Sequence, residues 1–126
     1  MKNTLKITLV SFLFIAIVAC NSSKKQSNFR HVVAFKFKPE VTRNQIDEII
    51  TEFKSLKNRI PSIVDFEGGK DVSNENLHKG YTHCFTVSFK NEAGRAIYQP
   101  HPAHQEFGKH LTPLLEEAFV MDYVIE

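Results

Sequence analysis

A phenol and two imidazoles fall within one short stretch, Tyr98-Gln99-Pro100-His101-Pro102-Ala103-His104, with two prolines pinning the backbone between them. Each proline fixes its own φ and steers the residue before it away from the helical region, so Tyr98 should end one helix and Pro102 should open the next. His101 then falls at or before the new helix's N-cap, and His104 about one turn in. An imidazole near a helix N-terminus feels the positive end of the dipole, which favours the neutral ring that acts as a base. The same residues, taken alone, also make an ordinary capping turn.

Two further histidines occupy positions that call for a partner or a cavity. From Phe29 to Phe37 the chain alternates, with Phe29, His31, Val33, Phe35 and Phe37 on one face of a strand. From Tyr81 to Lys90 it alternates again, placing Tyr81, His83, Phe85, Val87 and Phe89 together and Thr82, Cys84, Thr86 and Ser88 opposite. A polar ring left unpaired on a buried aromatic face costs about 1–3 kcal/mol. One such histidine is common in a core, but two of them beside the Tyr98–His104 stretch point to a shared cavity. The Thr82–Ser88 face is small and barely polar, which suits packing against another sheet better than facing water, and Cys84 on it reads as a small buried residue.

The elements that must position these groups follow in order. Thr42-Arg43-Asn44-Gln45 is a capping box with Val41 and Ile46 as a hydrophobic staple, and Ile46, Ile49, Ile50, Phe53 and Leu56 form the apolar stripe of a helix running to about Asn58. Ile63 to Gly69 reads as a second strand, with a bulge or kink at Gly68-Gly69, and 70–80 as a polar surface loop containing an exposed His78. Asn91 caps a short helix from Glu92 to Tyr98, Pro102 opens another to about His110, Thr112-Pro113 restarts a helical turn through Glu117, and Phe119 to Ile125 is the last strand. The order β-α-β-β-α-β predicts an α+β, ferredoxin-like fold: a four-stranded antiparallel sheet with helices on one face.

The chain opens with a segment outside that fold. Lys2 and Lys6 precede an apolar run, 7–19, that ends in Ile17-Val18-Ala19-Cys20. This resembles a bacterial lipoprotein signal, 1–19, with lipid carried on Cys20 and a polar tether, 20–28, leading to a domain at 29–126. The expected location is the bacterial cell envelope, anchored to a membrane, with the domain periplasmic. The whole chain carries 16 Lys+Arg against 14 Asp+Glu, and loss of Lys2 and Lys6 with the leader leaves 14 of each sign. A formally neutral domain without a basic stripe is a poor nucleic-acid binder. With Cys20 assigned to lipid, Cys84 has no partner for an intramolecular disulfide, so the fold rests on its core.

The combination of His31-Val32-Val33-Ala34-Phe35-Lys36-Phe37, Gly80-Tyr81-Thr82-His83, His101-Pro102-Ala103-His104 and Asp122-Tyr123 resembles the stress-responsive dimeric α/β-barrel family, often called Dabb. The resemblance implies the ferredoxin-like fold and a homodimer in which two sheets pair into a barrel. It also implies a pocket between sheet and helices, as in the plant polyketide-cyclising members, where a histidine acts as base and a tyrosine assists an aldol-type ring closure. The matching positions are His104 and Tyr98 as catalytic pair, with His31, His83 and His101 around a small-molecule substrate. Chemistry of that kind calls for no cofactor and no metal, and His101 and His104 lack the i, i+4 spacing of helical metal pairs. Two other readings stand beside it: a binding module that holds a small ligand without turning it over, and an oxygenase-like dimeric barrel.

Overall fold

The computed structural model describes residues 27–126; the leader, Cys20 and the tether up to 26 lie outside the described residues. Strand β1, Phe29–Phe37, follows the alternation: Phe29, His31, Val33 and Phe35 are buried, and the residues between them are half-exposed. Helix α1, Arg43–Arg59, begins at Thr42, which accepts from the Gln45 backbone N–H while the Gln45 side chain accepts from that of Thr42. Its buried residues, Ile49, Phe53 and Leu56, are three of the five in the predicted stripe.

Strand β2, Ile63–Lys70, and strand β3, His83–Phe89, flank the polar connection, and helices α2, Glu92–Tyr98, and α3, Pro102–Leu111, precede a 3-10 turn at Thr112–Leu114 and strand β4, Leu115–Val124. The sheet has four strands in the order β2-β3-β1-β4 with every neighbouring pair antiparallel. This is the ferredoxin-like arrangement expected from the element order, its second crossover divided into α2 and α3.

Aromatic rings hold the helices to one sheet face. Phe53 of α1 stacks on Phe107 of α3 at 4.6 Å between centroids, and meets Phe85 of β3 at 5.2 Å, Phe35 of β1 at 5.5 Å and Phe66 of β2 at 4.8 Å. Each fully buried ring of this size removes about 150–250 Å² from water, which makes the cluster the main source of cohesion between layers. Among the described residues no helix is long and apolar enough to cross a membrane.

Four expectations change. Leu115 to Glu117 belong to β4 rather than to a helical turn, because pairing with β1 extends from Val124 back to Leu115 across an irregularity at Lys36/Phe37. Tyr81 lies outside β3 and packs on Phe119 at 6.4 Å, on the sheet face opposite to Phe85. The β2–β3 register breaks between Ile63 and Asp65 and not at the glycines. Gly68 instead has φ +143°, where an added Cβ would lie 2.3 Å from the Cys84 carbonyl oxygen, so a glycine is required for two strands to approach there. Cys84 is exposed in the single chain, on the sheet face that the sequence assigns to packing against another sheet.

Candidate functional site

The Pro-pinned turn does for Tyr98 and His104 what its spacing implies. α2 ends at Tyr98, the His101 backbone N–H donates to the Tyr98 carbonyl at 3.2 Å, and Pro102 is the first residue of α3. This reversal folds the first turn of α3 against the last turn of α2, and the rings of Tyr98 and His104 meet at 4.3 Å between centroids. His101 is the N-cap itself: its Nδ1 accepts from the Ala103 backbone N–H at 3.1 Å. Its ring therefore works as a cap on α3.

His104 Nδ1 lies 3.0 Å from the Gln99 carbonyl oxygen. A carbonyl only accepts, so Nδ1 carries the proton and the neutral ring keeps its lone pair on Nε2. Burial lowers the pKa of His104; the Gln99 bond works against that shift, and the charges of Arg95 and His101 add to it. Tyr98, 1% exposed, has its phenol pKa pushed up by burial, so it stays protonated and able to donate. Among the described residues no protein group bonds the Tyr98 hydroxyl.

On the other side of Tyr98 stands His31, 5.6 Å away between centroids and edge-on. The β1–β4 register sets His31 opposite Asp122, and its Nδ1 is 2.5 Å from Asp122 Oδ1. Arg95 Nε is 3.3 Å from the same Nδ1 and 3.4 Å from Asp122 Oδ2. One nitrogen cannot donate to the carboxylate and also accept from the guanidinium. The shorter contact assigns the proton to Nδ1, Arg95 turns its Nε–H to the other carboxylate oxygen, and His31 too is left with a free Nε2. Burial lowers the pKa of His31 against the opposing hydrogen bond of Asp122. The pair is thus a neutral imidazole donating to a carboxylate rather than two charges.

His31, Arg95, Tyr98, Gln99 and His104 form one wall of a cavity of about 260 Å³, and Val33, Phe35, Phe53, Phe107, Leu111, Ala118 and Val120 supply apolar walls. It is a small-molecule space with a few polar groups converging on an apolar lining. His83 is not brought to it. It pairs with Phe35, four residues along β1 from His31, or about 13 Å at strand rise, and lines a separate recess with Arg43, Ile46, Asp47, Lys70 and Thr82. Its Nδ1 shares a 2.9 Å hydrogen bond with Thr82 Oγ1, and its pKa is lowered by burial and by Lys70. The five residues read from the sequence therefore divide: Tyr98, His104 and His31 share the cavity, His101 caps the helix beside it, and His83 stands apart.

Two groups of the site escaped the sequence reading. Asp122 entered it only beside Tyr123, as part of the family resemblance, although it is the one acid within 119–125, the strand expected from the sequence. Arg95 precedes Tyr98 by three residues and so shares its helix face, but nothing in the sequence distinguishes it from a solvated arginine. Among the described residues no group of three or more His, Cys, Asp or Glu is placed to hold a metal ion.

A sequence model described as the stress-responsive A/B barrel domain matches residues 29–125. The chain belongs to that family. A stress-response A/B barrel domain-containing protein of Arabidopsis thaliana is 42% identical to the barrel domain over 94 residues, which is 75% of this chain and 86% of the relative. Olivetolic acid cyclase of Cannabis sativa is 36% identical over 94 residues, 75% of this chain and 93% of the relative. Among solved structures, the hydroxynitrile lyase of Passiflora edulis superposes on this A/B barrel domain with a TM-score of 0.74 at 28% identity, covering 79% of this chain and 94% of the lyase.

Proposed function

We propose that this A/B barrel domain carries out acid–base chemistry on a small carbonyl compound, of the ring-closing, aldol or lyase type. The observation that carries the reading is the bonding of His104. With Nδ1–H held by the Gln99 carbonyl, Nε2 is the basic atom, and a protonated Tyr98 sits against it in one cavity. His104 Nε2 removes a proton from a carbon beside the carbonyl, and the Tyr98 hydroxyl donates to the carbonyl oxygen as negative charge gathers there. The enolate carbon then attacks a second carbonyl, whose oxygen takes back the proton held on His104 Nε2 to become a β-hydroxyl; in the reverse sense, His104 removes that hydroxyl proton as the carbon–carbon bond breaks and the fragments are released. The names of the relatives, one a cyclase and the other a lyase of hydroxynitriles, support a family site that makes or breaks bonds beside such carbons.

A deuterium-exchange assay tests this without knowledge of the natural substrate. Small ketones held in D2O with the protein should lose α-protons by NMR faster than in buffer, and Tyr98→Phe and His104→Ala should each lower that rate by about 10²–10⁴-fold. Exchange that both variants leave untouched removes the two residues from the chemistry. Ligand recovered unchanged, with no exchange, would turn the reading to a binding module.

The same proposal has a whole-protein side. The domain acts as a homodimer, in which the uncovered sheet faces of two copies meet to close a barrel that one four-stranded sheet does not form. Phe119, Met121 and Tyr123 lie on that face at 42%, 53% and 46% exposure, beside Val32, Ala34 and Thr86. Lipid on Cys20 holds it to a membrane of the bacterial cell envelope, on the periplasmic side, a reading supported by Lys2, Lys6 and the apolar run before the cysteine.

A further inference from the structure

Arg95 reaches the cavity wall with donors to spare. Its side chain is 15% exposed and its guanidinium carbon stands 5.5 Å from the Tyr98 ring centroid. Nε faces Asp122 Oδ2, and Nη1 makes only a long, 3.4 Å contact with Gln99 Oε1. Nη2 has no hydrogen-bond partner among the described residues, and it is not among the polar atoms sealed from solvent. An unpartnered nitrogen of a largely buried side chain that lines a cavity faces that cavity or its mouth.

Asp122 does not cancel this donor edge. Its oxygens face His31 Nδ1–H and Arg95 Nε–H, so the acid holds the histidine and the Nε side of the arginine rather than the Nη groups. The Nη1–Nη2 edge is left as a planar pair of charged donors beside the base and the phenol. That shape matches a carboxylate, which takes two parallel N–H donors, and the small, largely apolar cavity favours a singly charged group on a carbon chain over a doubly charged phosphate ester. Burial is the main cause of the shifts at His31, Tyr98 and His104; Arg95 adds a smaller downward pull on each, which Asp122 opposes at His31 and Tyr98.

We infer that Arg95 is the specificity residue of the cavity, binding a carboxylate on the substrate, and that the substrate class is small oxo acids rather than neutral ketones. This rests on the acid–base reading of the site for its catalytic meaning, but not for binding. The carboxylate docks on the Nη1–Nη2 edge, which orients the carbonyl towards the Tyr98 hydroxyl and the α-carbon towards His104 Nε2. The apolar walls around Phe53 and Phe107 take the carbon chain. A volume of about 260 Å³ equals roughly nine waters at liquid density, so the acid is short.

A matched pair of probes isolates the charge: 4-oxopentanoate and its methyl ester carry the same ketone and differ at the carboxyl group. With the full chain, NMR titration should show the acid binding about tenfold or more tightly than the ester. Arg95→Gln should bring the two affinities together by weakening the acid alone, and Arg95→Lys should restore part of the difference. Circular dichroism and melting curves check that both variants fold. Lys in place of Arg keeps the charge and loses the planar fork, so a purely structural arginine would not give that graded ratio. Equal binding of acid and ester by the unaltered protein, binding of neither at millimolar concentration, or displacement of the acid by equimolar inorganic phosphate would each overturn the assignment. Deuterium exchange read in the same tubes reports the chemistry separately: a preference for the acid without exchange sustains the anion site and rejects the catalytic proposal.

Discussion

His104 is a base only while its ring is neutral, and its surroundings set the pH at which that ends. Burial holds the pKa of His104, like that of His31, below the ordinary histidine value of about 6.5. The acid limb of exchange activity against pH should therefore fall below about 6.5, while the raised phenol pKa keeps Tyr98 protonated well into alkaline solution. Stability has the same sign. As pH drops through about 6.5 the unfolded chain takes up protons that the folded His31, His83 and His104 refuse, so the melting temperature should decline between about pH 7 and pH 5. A melting temperature that rises over this interval would contradict the burial of these rings. Of the candidate residues, Tyr98 and His104 were legible as a pair because a seven-residue, proline-pinned turn is local. His31 was legible as a buried histidine, but its carboxylate is 91 residues away and its arginine 64, and no local pattern encodes such distances.

At the scale of elements, the site stands on α2 and α3, and those stand on the phenylalanine cluster. Phe53 is the ring on which α1, α3 and the sheet converge, and Phe107, which it stacks on, also lines the cavity with His104. Phe53→Ala should cost about 3–5 kcal/mol in denaturant unfolding. That is a large share of the roughly 5–15 kcal/mol available to a domain of this size. A loss under about 1 kcal/mol would mean that the cluster is not the keystone its contacts imply. Capping chemistry made most element boundaries legible: the Thr42 box, Asn91 before α2, and Pro102 opening α3. Where pairing overrode local signals the reading failed. Thr112-Pro113 does turn the chain, but the free hydrogen bonds of the β1 edge capture Leu115–Glu117 as strand, and Tyr81 departs from the alternation because the β3 ladder begins only at His83.

For the molecule as a whole, the uncovered sheet face decides the assembly. Thr86 lies on that face beside Val32, at the centre of the sheet surface that a second copy would cover. Thr86→Asp should weaken a dimer built on this face by about a hundredfold or more, because an unpaired charge would be buried at its centre. Light scattering on dilute protein reads the outcome, and an unaltered chain that is monomeric at every concentration would remove the barrel from the account. Cys84 illustrates the same point: its small, uncharged neighbours made it read as buried, and in one chain it is exposed.

Alternation, caps and prolines are local rules, and from them the sequence by itself determined the β-α-β-β-α-β order, the helix-bearing face of the sheet and the turn that joins Tyr98 to His104. The company of those residues was decided only in three dimensions. Strand register chose His31 over His83 for the cavity, because a histidine's place along a strand is fixed by its partner across the sheet and not by its own neighbours. Register also brought Asp122 to His31, and helix packing then aimed Arg95 at both. Hydrogen bonds made by that packing, from His104 to Gln99 and from His31 to Asp122, settled which nitrogen of each ring carries the proton, and with it what each ring offers to a ligand.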